Sequence, residues 1–99
     1  SECLIRDSLA VEVGGDIEVE TPVGFIDVLS DTEVIEVKYY KRWKHGLGQV
    51  LAYQSFYPSL EKRLHLFAHN GDLDTGEIIA FAKSVCDEFS VEVTFEEIR

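Results

Sequence analysis

Apolar and polar positions change their period several times along the chain, and each change marks an element. From Ser1 to about Ala10, Leu4, Ile5 and Leu9 follow a serine suited to capping, and Gly14-Gly15 ends this first predicted helix. Three β-rich runs come next: Ile17 to Thr21, Phe25 to Leu29, and Val34 to Tyr39. Only Pro22-Val23-Gly24 and Ser30-Asp31-Thr32-Glu33 separate them, and connections this short predict antiparallel neighbours. Gly46 to about Tyr57 reads as a helix with Leu47, Val50 and Leu51 as its apolar stripe and Pro58 beyond its end. Arg63 to Ala68 is a further strand. Asp74 to Phe89 is the clearest helical pattern: Asp74 and Glu77 form a capping-box pair, and Ile78, Phe81, Ala82, Val85 and Phe89 recur at helical spacing. Finally Val91, Val93 and Phe95 alternate with Glu92, Thr94 and Glu96, as in a strand. The order αβββαβαβ, without repeat or linker, predicts one α/β domain over residues 1–99 with a mixed sheet flanked by helices.

Length and composition narrow the class. With 99 residues, 45% of them hydrophobic, the chain supports one core and needs no staples. Cys3 and Cys86 lie far apart without metal-ligand spacing, so they are expected to be free, buried thiols in a reducing compartment. No apolar run approaches the ~18 residues of a membrane span. Ser1-Glu2-Cys3 opens neither a signal peptide nor a basic leader, so a soluble intracellular domain, cytoplasmic or nuclear, is expected. The chain contains no Met, which predicts a lost initiator or excision from a longer protein.

A net charge of −10 argues against a polyanion partner until its distribution is considered. Residues 37 to 70 hold Lys38, Lys41, Arg42, Lys44, Lys62 and Arg63 against the single acid Glu61, a balance of +5, whereas the rest of the chain carries −15. Tyr39, Tyr40 and Trp43 are interleaved with the cations, a pattern that can hold a nucleic acid.

The second and third strands carry the candidate chemistry. If Ile26 and Val28 share a core with Ile35 and Val37, the hairpin register is fixed, and Asp27, Glu36 and Lys38 gather on the opposite face. The turn from Ser30 to Glu33 sets Asp27 opposite Glu36, with Cβ atoms about 4.5–5.5 Å apart. Carboxylates so close need a proton, a cation or water, and a hard Mg²⁺-type ion is an economical answer. Lys38, on the same face, can orient water or stabilise charge developing on a phosphate. The bland alternative is an ordinary solvated hairpin face.

With Gly24-Phe25-Ile26-Asp27, Glu36-Val37-Lys38 and Gln49-Val50-Leu51-Ala52-Tyr53 in this order, most of the chain resembles the PD-(D/E)XK nuclease superfamily of restriction enzymes and Holliday junction resolvases. Ile26 stands where the name-giving proline would be, and Gln49 with Tyr53 matches a QxxxY helix motif. The resemblance implies a restriction endonuclease-like αβββαβ core, here followed by a C-terminal helix and strand. It implies a Mg²⁺-dependent DNA endonuclease, with Mn²⁺ able to substitute. Asp27, Glu36 and the carbonyl of Val37 would hold the metal, Lys38 would position the attacking water, and Gln49 would brace the site or touch substrate. A first-helix glutamate often completes such a set: Glu2 is the candidate by position, with Glu12 and Glu20 competing. Lys41, Arg42, Lys44 and Tyr53 would contact DNA, and the small surface implies a homodimer or a larger parent protein. The alternative keeps the fold without catalysis and uses the acidic surface to bind a protein. His65 and His69, four apart on a predicted strand, and Gly46-Leu47-Gly48, without a third glycine, support neither a zinc site nor a dinucleotide loop.

Overall fold

The computed structural model describes residues 1–99. The elements are α1 (Glu2–Val13), β1 (Asp16–Thr21), β2 (Gly24–Leu29), β3 (Glu33–Tyr39), a short 3₁₀ turn (Tyr40–Arg42), α2 (Trp43–Gln54), β4 (Glu61–His69), α3 (Thr75–Asp87) and β5 (Val91–Ile98). Their order is the expected αβββαβαβ. The five strands form one mixed sheet in the order β1-β2-β3-β4-β5. β1, β2 and β3 are antiparallel neighbours, whereas β3, β4 and β5 run parallel through the crossover helices α2 and α3.

Both faces of the sheet are covered, which divides the core. On the α2/α3 face, Val34, Leu64, Leu66 and Ala68 pack with Trp43, Val50, Tyr53, Ile79, Ala82 and Cys86. On the α1 face, Ile35, Val37, Val28 and Phe67 pack with Ile5, Leu9 and Ala10. Strand β3 is therefore buried on both sides, as a strand inside a three-layer α/β fold is.

Several local expectations are corrected. Helix α2 begins at Trp43, three residues before Gly46, because the 3₁₀ turn feeds straight into it; it ends at Gln54, ahead of Pro58. Asp74 does not cap α3: its backbone is left-handed (φ 58°) and its side chain makes no cap hydrogen bond. The buried stripe of α3 is Ile79, Ala82 and Cys86, while Phe81 and Phe89 are exposed. Both cysteines are free, but only Cys86 is buried; Cys3 lies in the exposed first turn of α1. No helix is long and apolar enough to cross a membrane.

The largest correction concerns the hairpin. Ile26 and Val28 do not share a core: Ile26 packs with the α2/α3 cluster and Val28 with the α1 cluster. Val19 pairs with Ile26 and Ile17 with Val28, so the same register sets Glu18 opposite Asp27. Glu18 has a left-handed backbone, φ 52°. A non-glycine residue there is uncommon, and it sits across from Asp27, between the pair that packs under α2/α3 and the pair that packs under α1.

Candidate metal and nucleic-acid site

The β2–β3 register is the expected one: Val28 pairs with Ile35 and Leu29 with Val34, which sets Asp27 opposite Glu36. Beyond Val28 the two backbones no longer bond to each other, and side chains replace the missing ladder. Asp27 donates its backbone N–H to Glu36 Oε2 at 2.9 Å, and Val37 donates its backbone N–H to Asp27 Oδ2 at 2.9 Å. Each carboxylate is thus held by the backbone of the opposite strand, and the two carboxyl groups also hydrogen-bond to each other, side chain to side chain. In an extended strand a residue's N–H and C=O point to the same edge, so the Val37 carbonyl faces this gap as well.

The face carrying Glu36 is not solvated, contrary to the expectation of a polar outer face. Glu36 is only 1% exposed, because α2 covers it. Burial, reinforced by the charge of Asp27, pushes its carboxyl up to about 8. Burial also raises Asp27, opposed by the hydrogen bond from Val37 and by the charge of Lys38. A buried pair of this kind holds a proton in the absence of a cation, since neither group can shed its charge into water.

Lys38 follows Glu36 by two residues and lies against α2. A Cβ built on Gly46 would come within 2.7 Å of Lys38 Cγ and 2.6 Å of Leu64 Cδ1. Only a residue without a side chain lets α2 approach closely enough to hold the Lys38 stem beside the carboxylates. Periodicity alone sets Gly46 at the start of a helix and gives no sign of this approach. Gly24 plays a similar part: its φ is 142°, and a Cβ there would lie 2.5 Å from the Tyr53 hydroxyl. Tyr53 is nearly buried, and burial together with the charges of Glu36 and Asp27 raises its phenol. It braces the β1–β2 turn more than it offers a surface to substrate.

One turn before Tyr53, Gln49 has a buried side-chain oxygen without a partner. The same side chain hydrogen-bonds Tyr53, which holds the amide against the inner wall of α2. Gln49 and Tyr53 line an open cavity of about 470 Å³ with Val23, Lys44 and His45. Lys44 therefore stands at a groove, while Lys41 and Arg42 are exposed on the preceding 3₁₀ turn. Tyr40 and Trp43 belong to the core, and the Tyr40 hydroxyl donates to the Leu73 carbonyl at 2.6 Å. Arg63, counted among the basic residues, is committed to Glu33 by two hydrogen bonds of 3.0 and 2.8 Å. His65 is buried between Thr94 Oγ1 at 2.7 Å and Glu96 Oε1 at 2.8 Å, a structural role that uses both ring nitrogens.

The structure does not bring Glu2 to the carboxylate pair; it stands exposed at the start of α1. Glu12 and Glu20 are exposed as well. Nowhere do three or more Asp, Glu, His or Cys side chains converge as a metal cage. What α1 contributes near this end is Arg6, paired with Asp7 and with Glu18. The charge of Glu18 in turn acts on Asp27. No sequence signal marks Glu18, since a left-handed turn inside a strand is ordinarily written with Gly or Asn.

The chain is similar to three proteins of Acanthamoeba polyphaga mimivirus, each named as containing a KilA-N domain. Identity is 40% over 89 residues with the first, covering 90% of this chain and 34% of the relative. It is 37% over 89 residues with the second, covering 90% and 23%, and 34% over 90 residues with the third, covering 91% and 24%. The chain thus spans about a third or less of the length of each. No family model and no solved structure matches it.

Proposed function

We propose that this domain is a metal-dependent nuclease of the PD-(D/E)XK type that acts on DNA. The observation that carries the reading is the reciprocal clasp of Asp27 and Glu36, each anchored by the other strand's backbone N–H, with the two carboxyls hydrogen-bonded to each other where a cation could take the place of the shared proton. With that proton displaced, the two carboxylates and the Val37 carbonyl would suit a hard divalent ion such as Mg²⁺ or Mn²⁺ that keeps several of its own waters, so a full protein cage is not required. When bound, the ion supplies Lewis-acid activation of the phosphodiester and of water.

The chain's own residues supply the remainder. Lys38, held against Gly46, places an ammonium beside the carboxylates, where it orients water and offsets charge gathering on phosphate oxygens. Gln49 lines the groove and its side chain hydrogen-bonds Tyr53, so it braces the wall beside the carboxylates. Lys41, Arg42 and Lys44 place positive charge beside that groove, so the local field favours a polyanion despite the net charge of −10. The naming of three relatives for a KilA-N domain supports DNA as the polymer.

The test is a panel of linear and branched DNAs incubated with Mg²⁺ or with EDTA. Cleavage is expected with Mg²⁺ only, and is expected to disappear in Asp27→Asn and Lys38→Ala. Absence of cleavage on every substrate, or cleavage that survives both substitutions, contradicts the reading.

A further inference from the structure

The two edges of the sheet differ in a way that metal chemistry does not explain. Edge strand β1 is six residues long and broken by the left-handed Glu18. Edge strand β5 runs eight residues, Val91–Ile98, in continuous parallel register with β4. Beyond that ladder, the only further backbone hydrogen bond to β5 comes from Asn70 N–H to the Ile98 carbonyl, at 2.7 Å. Its outer row of N–H and C=O groups is therefore a template for one more strand.

The side chains of β5 specify what that strand must be. Glu92 and Glu96 lie on one face and are exposed; Glu96 gives one oxygen to His65, so Glu92 and the other oxygen of Glu96 are what an incoming segment meets, and they favour cationic side chains on that face. On the other face, Phe95 with Thr75, Gly76, Ile79, Ala80 and Lys83 of α3 lines a cavity of about 260 Å³. That cavity accepts an apolar side chain, and Lys83 at its wall repels a basic one. A second copy is disfavoured, because antiparallel pairing of two β5 edges would bring Glu92, Glu96 and Glu97 of both copies together.

We propose that β5 is a docking edge for an extended basic peptide segment, which adds to the sheet as a sixth strand with Lys or Arg alternating with apolar residues. The inference uses none of the residues assigned to the nuclease site and stands or falls separately from it. Backbone pairing supplies affinity, while the two faces of β5 supply specificity.

The experiment titrates the whole chain with fluorescein-labelled synthetic peptides matched to the eight residues of β5, with Lys alternating with Leu. One control replaces Lys by Glu, and another keeps the charge but carries a central Pro, which cannot complete a ladder. Binding to the Lys–Leu peptide alone is expected, with hydrogen-exchange protection of amides within Val91–Ile98. In Glu92→Lys/Glu96→Gln, which leaves His65 an acceptor, affinity is expected to fall about tenfold or more. Equal binding of the Pro-containing peptide, protection confined to other strands, or no binding at all overturns the proposal.

Discussion

Asp27 gives its backbone N–H to Glu36 Oε2 at 2.9 Å, and the strand that carries Glu36 returns the Val37 N–H to Asp27 Oδ2 at 2.9 Å. Two carboxylates thereby do the work of a strand ladder where the backbones have parted. The arrangement fixes both side chains before any ligand arrives, at the cost of burying charge under α2. Fixed, desolvated acids beside a lysine are a setting prepared for a cation.

The first prediction follows from Gly46. Gly46→Ala would ordinarily stabilise a helix by up to about 1 kcal/mol. Here the new methyl meets Lys38 Cγ at 2.7 Å and Leu64 Cδ1 at 2.6 Å, so overpacking wins and a net loss of about 1–3 kcal/mol is expected. Urea denaturation measures that loss. DNA cleavage should fall further than stability explains, in kcat rather than KM, because Lys38 is displaced.

The second prediction concerns pH. With Glu36 raised from 4.5 to about 8, the folded metal-free domain binds a proton that the unfolded chain releases. Its contribution to stability is full below about pH 4.5 and is lost as pH rises through about 8, the reverse of an ordinary salt-bridged carboxylate. Raised Asp27 adds in the same direction. Denaturation midpoints across this range should therefore drop with rising pH in the wild type, and drop less in Glu36→Gln. A wild type and variant that stay parallel over the whole range would remove the buried proton.

Much of this site is legible from periodicity, and the physical reasons for the failures are specific. The β2–β3 register follows from Val28 and Ile35 because a one-residue slip would expose their whole face, and it sets Asp27 opposite Glu36 as expected. The partition of Ile26 from Val28 is not legible, since strict alternation puts both on one face, and the irregular backbone opposite Asp27, at Glu18, is one that a glutamate does not announce. Gly46 looks like punctuation because the side chains it meets, Lys38 and Leu64, are distant in sequence. Phe81 and Phe89 match a helical stripe, yet the rotation of α3 is set by Ile79, Ala82 and Cys86 against the sheet.

A third prediction tests the brace at the β1–β2 turn. Gly24→Ala should destabilise the domain by about 1–3 kcal/mol, since φ is 142° and the added carbon meets the Tyr53 hydroxyl at 2.5 Å. Tyr53→Phe alone should be milder. In the double variant part of the loss should return, giving a coupling of at least about 0.5 kcal/mol in a double-mutant cycle. Strict additivity would mean that the hydroxyl does not press on the turn.

The fourth prediction addresses DNA affinity. Replacing Lys41, Arg42 and Lys44 together by Ala should weaken binding and shallow its salt dependence, by about 0.9 in log–log slope for each duplex phosphate that is no longer neutralised. Arg63→Ala should instead act on stability, because Arg63 is already committed to Glu33. Fluorescence anisotropy over a salt series separates the two. An unchanged slope in the triple variant would place the DNA elsewhere.

The measurement that bears most directly on the carboxylate clasp is calorimetric titration of the metal-free domain with Mn²⁺. Saturable binding to the wild type is expected, with protons released when the titration is run below about pH 8, and with loss of binding in Asp27→Asn and in Glu36→Gln while both variants stay folded. Binding that is equal in the wild type and both variants, or absent from the wild type at every pH, would contradict that expectation.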